Sequence, residues 1–167
     1  ARAHPPTAPP SGRLMAFDAS DLKFREEAFR HLYALLAGRS VLSRAEMESP
    51  FIVDGQRLTL VDPQRGIHKP RVMRHLLSIT TVVPAKGRKI WYSDQTKAHN
   101  EIYGGETSVR YSFMGENPDA AQNRSLREAA EEQIPIIYFL GIKPGLYQPI
   151  VPVFLTDWNA HTLSVSI

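Results

Sequence analysis

The sequence predicts a single α+β domain in which a mixed or antiparallel β-sheet is flanked by two or three helices. The chain of 167 residues is 43% apolar and 22% charged, an ordinary composition for a globular domain large enough to have a hydrophobic core. Strand-like runs and helical stretches follow one another in mixed order, without an internal repeat. No apolar run approaches the roughly 18–20 residues of a membrane helix.

The first residues differ in composition from the rest. Four prolines fall within the first twelve residues, with no apolar segment of the kind a signal peptide needs. Residues 1–16 are therefore expected to be a disordered leader, and residues 17–167 the folded domain. Cysteine is absent, which excludes disulfides and cysteine-ligated zinc and is compatible with the expected cytoplasmic location.

Residues 21–37 are predicted to form the first helix, because apolar side chains recur at helical spacing and Gly38 supplies a stop. Its inner face is expected to comprise Phe24, Ala28, Leu32 and Leu35, widened by Phe29 and Leu36.

A capping box is predicted at Ser43 and Glu46, at the start of a short second helix. Arg39 and Arg44 flank this corner. They are interpreted either as solvated residues at helix ends or as contacts to phosphate.

The next stretch is predicted to form strands. Asp54-Gly55 is a hairpin turn signal between the strand-like runs 51–53 and 57–61. Residues 76–83 are rich in β-branched side chains and should form a strand. Two further strands are expected at 90–92 and 107–114.

Asn117-Pro118-Asp119 predicts the start of a helix, with Asn117 as the side-chain cap, and Pro135 follows its end near Gln133. Its inner positions are expected to be Ala121, Leu126, Ala129 and Ala130. Residues 134–142 are the most apolar run and should form a central strand. Residues 147–155 contain two prolines and should form an edge or bulged strand.

Positive charge is concentrated in one part of the chain. Residues 65–97 contain eight cationic side chains and one acid, a net charge of +7, so that the rest sums to −4 within an overall charge of +3. The densest part is the stretch from Arg65 to His75. Such a local excess predicts an anion-binding face, with nucleic acid as the first candidate, or else a solvated basic patch.

The sequence contains no recognisable catalytic constellation. Its six histidines lack metal-ligand spacing, and there is no phosphate-binding glycine loop, dinucleotide fingerprint or nucleophile elbow. No cofactor is expected. Recognition by Arg and Lys, which neutralise phosphates and contact bases, is the remaining prediction.

Several short motifs together resemble one known family. In chain order they are Gly66-Ile67-x-Lys69-Pro70, Leu77-Ser78-Ile79-x-Thr81, Tyr92-x-Asp94, Tyr111-x-x-x-Gly115-x-x-Pro118, Asn123-x-x-Leu126-Arg127, Pro135-x-Ile137-Tyr138-Phe139, Gly145-x-Tyr147 and Pro152-x-Phe154. Their order and spacing, over roughly residues 50–165, are similar to those of the DNA sulfur-binding domain. That domain is joined to HNH nuclease domains in modification-dependent (type IV) restriction endonucleases.

The resemblance implies a module that binds double-stranded DNA carrying a phosphorothioate, while cleavage belongs to a separate HNH domain. Family members often carry Arg immediately before the glycine at position 115, where this chain has Met114. A DNA contact made there in relatives is therefore missing here or is supplied elsewhere.

The expected binding residues form three groups. Those at the sulfur-bearing phosphate are His68, Lys69, Pro70 and Arg71, with the Pro70 ring as part of an apolar wall for sulfur. Those at the DNA backbone or groove are Arg39, Arg44, Lys86, Arg88 and Lys89. Further candidates are Ser78, Tyr92 and Tyr111.

Two alternatives stay open. The chain could read another DNA modification such as a methylated base, for which Trp91-Tyr92 could contribute to an aromatic cage. It could also be a nuclease domain with an unfamiliar active site, in which case the isolated domain would cleave DNA in the presence of a divalent metal.

Overall fold

Short helices and strands alternate through the residues that the computed structural model describes, which are 19–83, 110–112, 117, 119–159 and 164–167. The helices are α1 (Ala19–Leu36), α2 (Arg44–Met47) and α3 (Ala121–Glu132). The strands are β1 (Leu42–Ser43), β2 (Phe51–Val53), β3 (Gln56–Leu58), β4 (Ile67–His68), β5 (Ser78–Thr81), β6 (Arg110–Ser112), β7 (Ile136–Lys143), β8 (Leu146–Val153), β9 (Thr156–Asn159) and β10 (Ser164–Ser166).

The main sheet has five strands in the order β1-β8-β7-β5-β4. Strand β5 runs parallel to β7, and the other neighbours pair antiparallel, so the sheet is mixed. A second, three-stranded sheet has the order β6-β10-β9, and β2 and β3 form a separate hairpin. The predicted α+β class and the central position of the apolar strand β7 are both confirmed.

Side chains of β7 alternate between two hydrophobic clusters, as expected for a strand buried on both faces. Ile137 and Phe139 pack in the cluster that includes α1 and the β2–β3 hairpin. Ile136, Tyr138 and Leu140 belong to the cluster that includes α3 and the second sheet. The main sheet therefore separates α1 from α3.

The apolar face of α1 matches the prediction, since Phe24, Ala28 and Leu32 are buried and Leu35 is half-buried. The apolar pattern missed two polar members of this face. Asp21 and Arg25 are each only 1% exposed.

The predicted capping box and hairpin are also confirmed. Ser43 Oγ accepts a hydrogen bond from the Glu46 N–H (3.2 Å), and a Glu46 carboxylate oxygen accepts one from the Ser43 N–H (3.1 Å). In the turn between β2 and β3, Asp54 and Gly55 have φ values of 50° and 77°, the left-handed conformation that Asp-Gly turns adopt.

The start of α3 differs from the prediction. The N-cap residue is Ala120, without a side-chain cap, and Asn117 instead accepts a hydrogen bond from the Asp119 N–H (2.9 Å). The carbonyl of Asn117 accepts a hydrogen bond from the Asn123 side chain (2.7 Å), which allows that polar side chain to be buried. Ala121, predicted as an inner position, is exposed.

Strand β8 is bulged, as its prolines predicted, because its register against β7 shifts at two places. Its other neighbour, β1, pairs only with Leu146 and Tyr147. Pro149 and Pro152 lie beyond that short pairing with β1. The predicted leader at 1–16, the strand at 90–92 and the outer parts of 107–114 lie outside the described residues.

Candidate nucleic-acid interface

The basic stretch of the sequence forms the connection between β4 and β5. Ile67 and His68 pair with Ile79 and Ser78, and the N–H of Leu77 donates to the carbonyl of His68 (2.9 Å). Residues 69–76, called the β4–β5 loop below, are thus closed at their base by sheet hydrogen bonds.

Exposed cations and buried side chains interleave along this loop. Lys69, Arg71 and Arg74 are exposed, whereas the side chains between and after them are largely buried: Pro70, Met73, His75 and Leu76. A hydrogen bond from the Met73 N–H to the Pro70 carbonyl (3.0 Å) adds a turn. The buried side chains hold the backbone, so the cations project from a fixed support.

His68, at the base of the loop, is half-buried and hydrogen-bonded. Its Nε2 lies 2.9 Å from the carbonyl oxygen of Thr59, and since a carbonyl only accepts, Nε2 carries the proton. Burial lowers the pKa of His68 from its ordinary value of 6.5, although the hydrogen bond to Thr59 opposes that shift. His68 therefore contributes a neutral imidazole near pH 7.

The structure places Pro70 in the interior of the protein. Its ring therefore supports the β4–β5 loop from beneath. The exposed apolar side chain of the loop is Val72, which is 37% exposed.

Ser78 and Tyr111 also lie behind the loop. Ser78 is fully buried and its hydroxyl donates to the carbonyl of Leu60 (2.6 Å). Tyr111 is 6% exposed, and its hydroxyl donates to the carbonyl of Thr80 (3.3 Å). These two side chains support the strands that carry the loop.

A cleft of about 190 Å³ lies between the base of the β4–β5 loop and the start of α3. Its lining combines cationic side chains with apolar and small polar ones: Asp62, Arg65, Ile67, Lys69, Ala121, Gln122 and Ser125. Arg65 and Lys69 are both exposed, and they outnumber the one acid, Asp62.

The start of α3 adds to the positive potential of this cleft. A helix N-terminus carries roughly half a positive charge from its aligned peptide dipoles. The first turn of α3 contains no acidic residue, and its N-cap residue makes no side-chain hydrogen bond to it. An anionic group in the cleft would therefore meet the positive helix end and two side-chain cations together.

Arg39 and Arg44 are engaged with neighbouring groups. Arg39 pairs with Glu46 and donates to the carbonyls at the end of α1. Arg44 pairs with Glu48 (2.9 Å) and donates to the carbonyl of Asp62 (3.0 Å). These contacts fit solvated helix-end residues, and a phosphate would have to compete with the two carboxylates.

Four predicted binding residues, Lys86, Arg88, Lys89 and Tyr92, lie outside the described residues, and their roles stay predictions. Sequence reasoning did not select the cleft residues Ala121, Gln122 and Ser125. The helix start was visible in the sequence, but the loop that it faces depends on the tertiary fold.

The described ranges contain no group of three or more His, Asp or Glu side chains arranged to hold a metal ion. They also contain no helix that is both long enough and apolar enough to cross a membrane.

The chain has no match among protein-family models, curated proteins or solved structures. The resemblance to the DNA sulfur-binding domain therefore rests on the motifs in the sequence.

Proposed function

We propose that this chain is a DNA-binding module that recognises double-stranded DNA carrying a phosphorothioate, and that the modified phosphate enters the cleft between the β4–β5 loop and α3. The observation that supports this most is the lining of the cleft. Arg65 and Lys69 bring positive charge to the same small space as the apolar groups of Ile67 and Ala121.

This mixture suits a phosphate in which sulfur replaces one non-bridging oxygen. Sulfur is larger and more polarisable than oxygen, and it is a poorer hydrogen-bond acceptor. Against apolar residues such as Ile67 and Ala121, sulfur loses little on desolvation, whereas an oxygen there would be an unpaired acceptor. The apolar lining thus supplies discrimination between the two atoms.

Affinity has a different source in this proposal. Arg65 and Lys69 interact with the negative charge of either kind of phosphate, and Arg71 and Arg74 extend the cationic surface along the loop. Contacts of this kind position a protein on the duplex without reading its modification. They act by releasing counterions, so binding weakens as salt rises.

Cleavage is assigned to a separate HNH nuclease domain in the full-length protein, and the location is proposed to be the cytoplasm. The absence of cysteine is compatible with that location. Trp91 and Tyr92, which could contribute to an aromatic cage in the modified-base alternative, lie outside the described residues.

The test compares matched duplexes that differ by one phosphorothioate, titrated against the protein at one salt concentration. We expect tighter binding of the modified duplex. Equal affinity for the two duplexes, or cleavage of either by the protein with a divalent metal, would overturn the proposal.

Variants of cleft residues test whether DNA binding takes place in the cleft. The double variant Arg65→Ala/Lys69→Ala should weaken binding of both duplexes, because it removes the two cations of the cleft. Lys23→Ala is the matched control. Lys23 is an exposed lysine of α1, on the other face of the main sheet, where it pairs with Asp54 (2.8 Å). If the control weakens binding as much as the double variant does, the cleft is not the binding site.

A further inference from the structure

A buried ion pair on α1 holds the backbone of the β4–β5 loop. Asp21 and Arg25 are one helical turn apart, each 1% exposed, and Nε and one terminal nitrogen of Arg25 donate to Asp21 Oδ1 at 3.2 and 3.1 Å. The pair lies within the protein, beneath the loop that carries the exposed cations Lys69, Arg71 and Arg74.

The second oxygen of Asp21 is directed at two consecutive backbone amides. Oδ2 accepts hydrogen bonds from the N–H groups of Arg74 (2.9 Å) and His75 (3.0 Å). A carboxylate that accepts from adjacent amides fixes the orientation of the peptide plane between them.

Arg25 donates hydrogen bonds to carbonyl groups that follow these amides in the chain. It donates to the carbonyl oxygens of His75 (3.4 Å), Leu76 (2.8 Å) and Pro135, the last at 2.9 Å and immediately before the central strand β7. One side chain therefore ties the end of the β4–β5 loop to the main sheet.

Stability alone is a weak reason for such an arrangement. Removing two charges from water costs free energy that their attraction offsets only in good geometry, and well-packed apolar residues often serve stability as well or better. The two charged groups can define positions of backbone amides and carbonyls that apolar packing would leave loose.

We propose that Asp21 and Arg25 are positioning residues of the DNA interface: they set the backbone at the end of the β4–β5 loop so that Arg71 and Arg74 face the duplex. The inference rests on the proposed function. The pair itself contacts no DNA and acts only through the loop.

The experiment measures amide hydrogen exchange and DNA affinity on the same variants. Asp21→Asn keeps the size of the side chain but replaces one carboxylate oxygen with an NH₂ group. That donor must then face either the two backbone N–H groups or the Arg25 guanidinium, which are themselves donors. Arg25→Lys keeps the charge but cannot reach all of its partners. Asp54→Asn is the matched control, since it breaks the exposed pair between Asp54 of the β2–β3 turn and Lys23 of the same helix α1.

In the unchanged protein, the amides of Arg74 and His75 should exchange slowly despite their position in a loop. Asp21→Asn should accelerate their exchange and weaken binding of both duplexes by about ten-fold or more, as expected for loss of hydrogen bonds to a charged group. Amide exchange in β7 should change far less, because the hydrogen bonds of β7 to β5 and β8 stay intact. The control should leave loop exchange and affinity unchanged.

Three outcomes would overturn the inference. In the first, the amides of Arg74 and His75 exchange rapidly in the unchanged protein, a result that decides the matter even if both variants fail to fold. Exchange at these amides could rise without loss of affinity. Exchange could also rise equally throughout the main sheet, as for a purely structural pair.

If the proposed function is wrong, the same experiments give a different result. If the unchanged protein binds DNA without preferring the modified duplex, the proposal that it recognises phosphorothioate fails. The effect of Asp21 and Arg25 on the loop can then still be tested through the DNA affinity of their variants. If it binds no DNA at all, both proposals are overturned.

Discussion

The hydroxyl group of Tyr111 occupies the space that a β-carbon on Gly66 would need. An ideal β-carbon there would lie 2.7 Å from Tyr111 Oη and 3.0 Å from the carbonyl oxygen of Thr80. The Gly66 carbonyl in turn accepts a hydrogen bond from the Thr80 N–H (2.8 Å). Gly66 therefore permits a close approach of β4 to the strands behind it, just before the β4–β5 loop begins.

Replacing Gly66 with Ala should destabilise the protein and weaken DNA binding, because β4 must move away from Tyr111 and Thr80. Overpacking of this kind typically costs about 1–3 kcal/mol. The double variant Gly66→Ala/Tyr111→Phe should recover part of the loss, since the nearer obstacle is removed. Thermal unfolding of both variants and of Tyr111→Phe alone measures the coupling, and additive effects would contradict the prediction.

Introducing an acidic residue at the start of α3 should weaken DNA binding without lowering the stability of the protein. Ala121→Asp places a negative charge at the positive helix end, which stabilises an exposed helix by about 0.3–1 kcal/mol. The same charge lines the proposed phosphate cleft and should repel DNA. We expect an unchanged or higher melting temperature together with weaker binding of both duplexes. Ala120→Asp, at the N-cap outside the cleft lining, is the control, and an equal loss of binding there would point to a general charge effect.

The exposed arginines of the β4–β5 loop should govern salt dependence. If Arg71 and Arg74 each neutralise one phosphate, replacing either with Ala lowers the slope of log affinity against log salt by about 0.9. The sulfur preference should persist, because charge contacts do not distinguish the two atoms. Arg30, an exposed α1 residue paired with Glu27, supplies the control Arg30→Ala, which should leave the slope unchanged. Unaltered slopes for both loop variants would remove the loop from the interface.

The corner between α1 and α2 should lose stability in acid. The hydrogen bond from Arg39, assisted by the backbone N–H of Ser43, lowers the pKa of Glu46 from 4.5 to about 2. Because the folded state favours the ionised carboxylate, its contribution is complete above pH 4.5 and is lost as the pH falls toward 2. The melting temperatures of the unchanged protein and of Glu46→Gln should therefore differ near pH 6 and converge near pH 2. A constant difference over this range would contradict the assignment.

Local sequence patterns predicted those elements whose residues interact with near neighbours. The capping box at Ser43 and Glu46 and the turn at Asp54-Gly55 involve only a few consecutive residues, so spacing alone defined them. Strand β7 was recognisable because both of its faces are buried, which requires a continuous apolar run.

Features that depend on distant parts of the chain were not predictable in the same way. Asp21 and Arg25 have the side chains of a solvated helix face, and their burial depends in part on backbone partners 50 or more residues away. Pro70 was expected to form part of an apolar wall for sulfur, yet the loop turns its ring inward. The basic stretch could be recognised as a concentration of charge from the sequence, but which of its residues share a cleft with α3 required the fold.

The parallel pairing of β5 with β7 makes the β4–β5 loop, and with it the proposed interface, dependent on a later part of the chain during folding. Ser78 pairs with Ile137, 59 positions later in the chain, whereas β7 and β8 are joined by the short turn at Pro144-Gly145. The β7–β8 hairpin can form early, whereas β5 can pair with β7 only after the long segment between them has closed into a loop. A nascent chain that ends before Pro135 would carry every cation of the β4–β5 loop but would lack both β7 and the Pro135 carbonyl to which Arg25 donates.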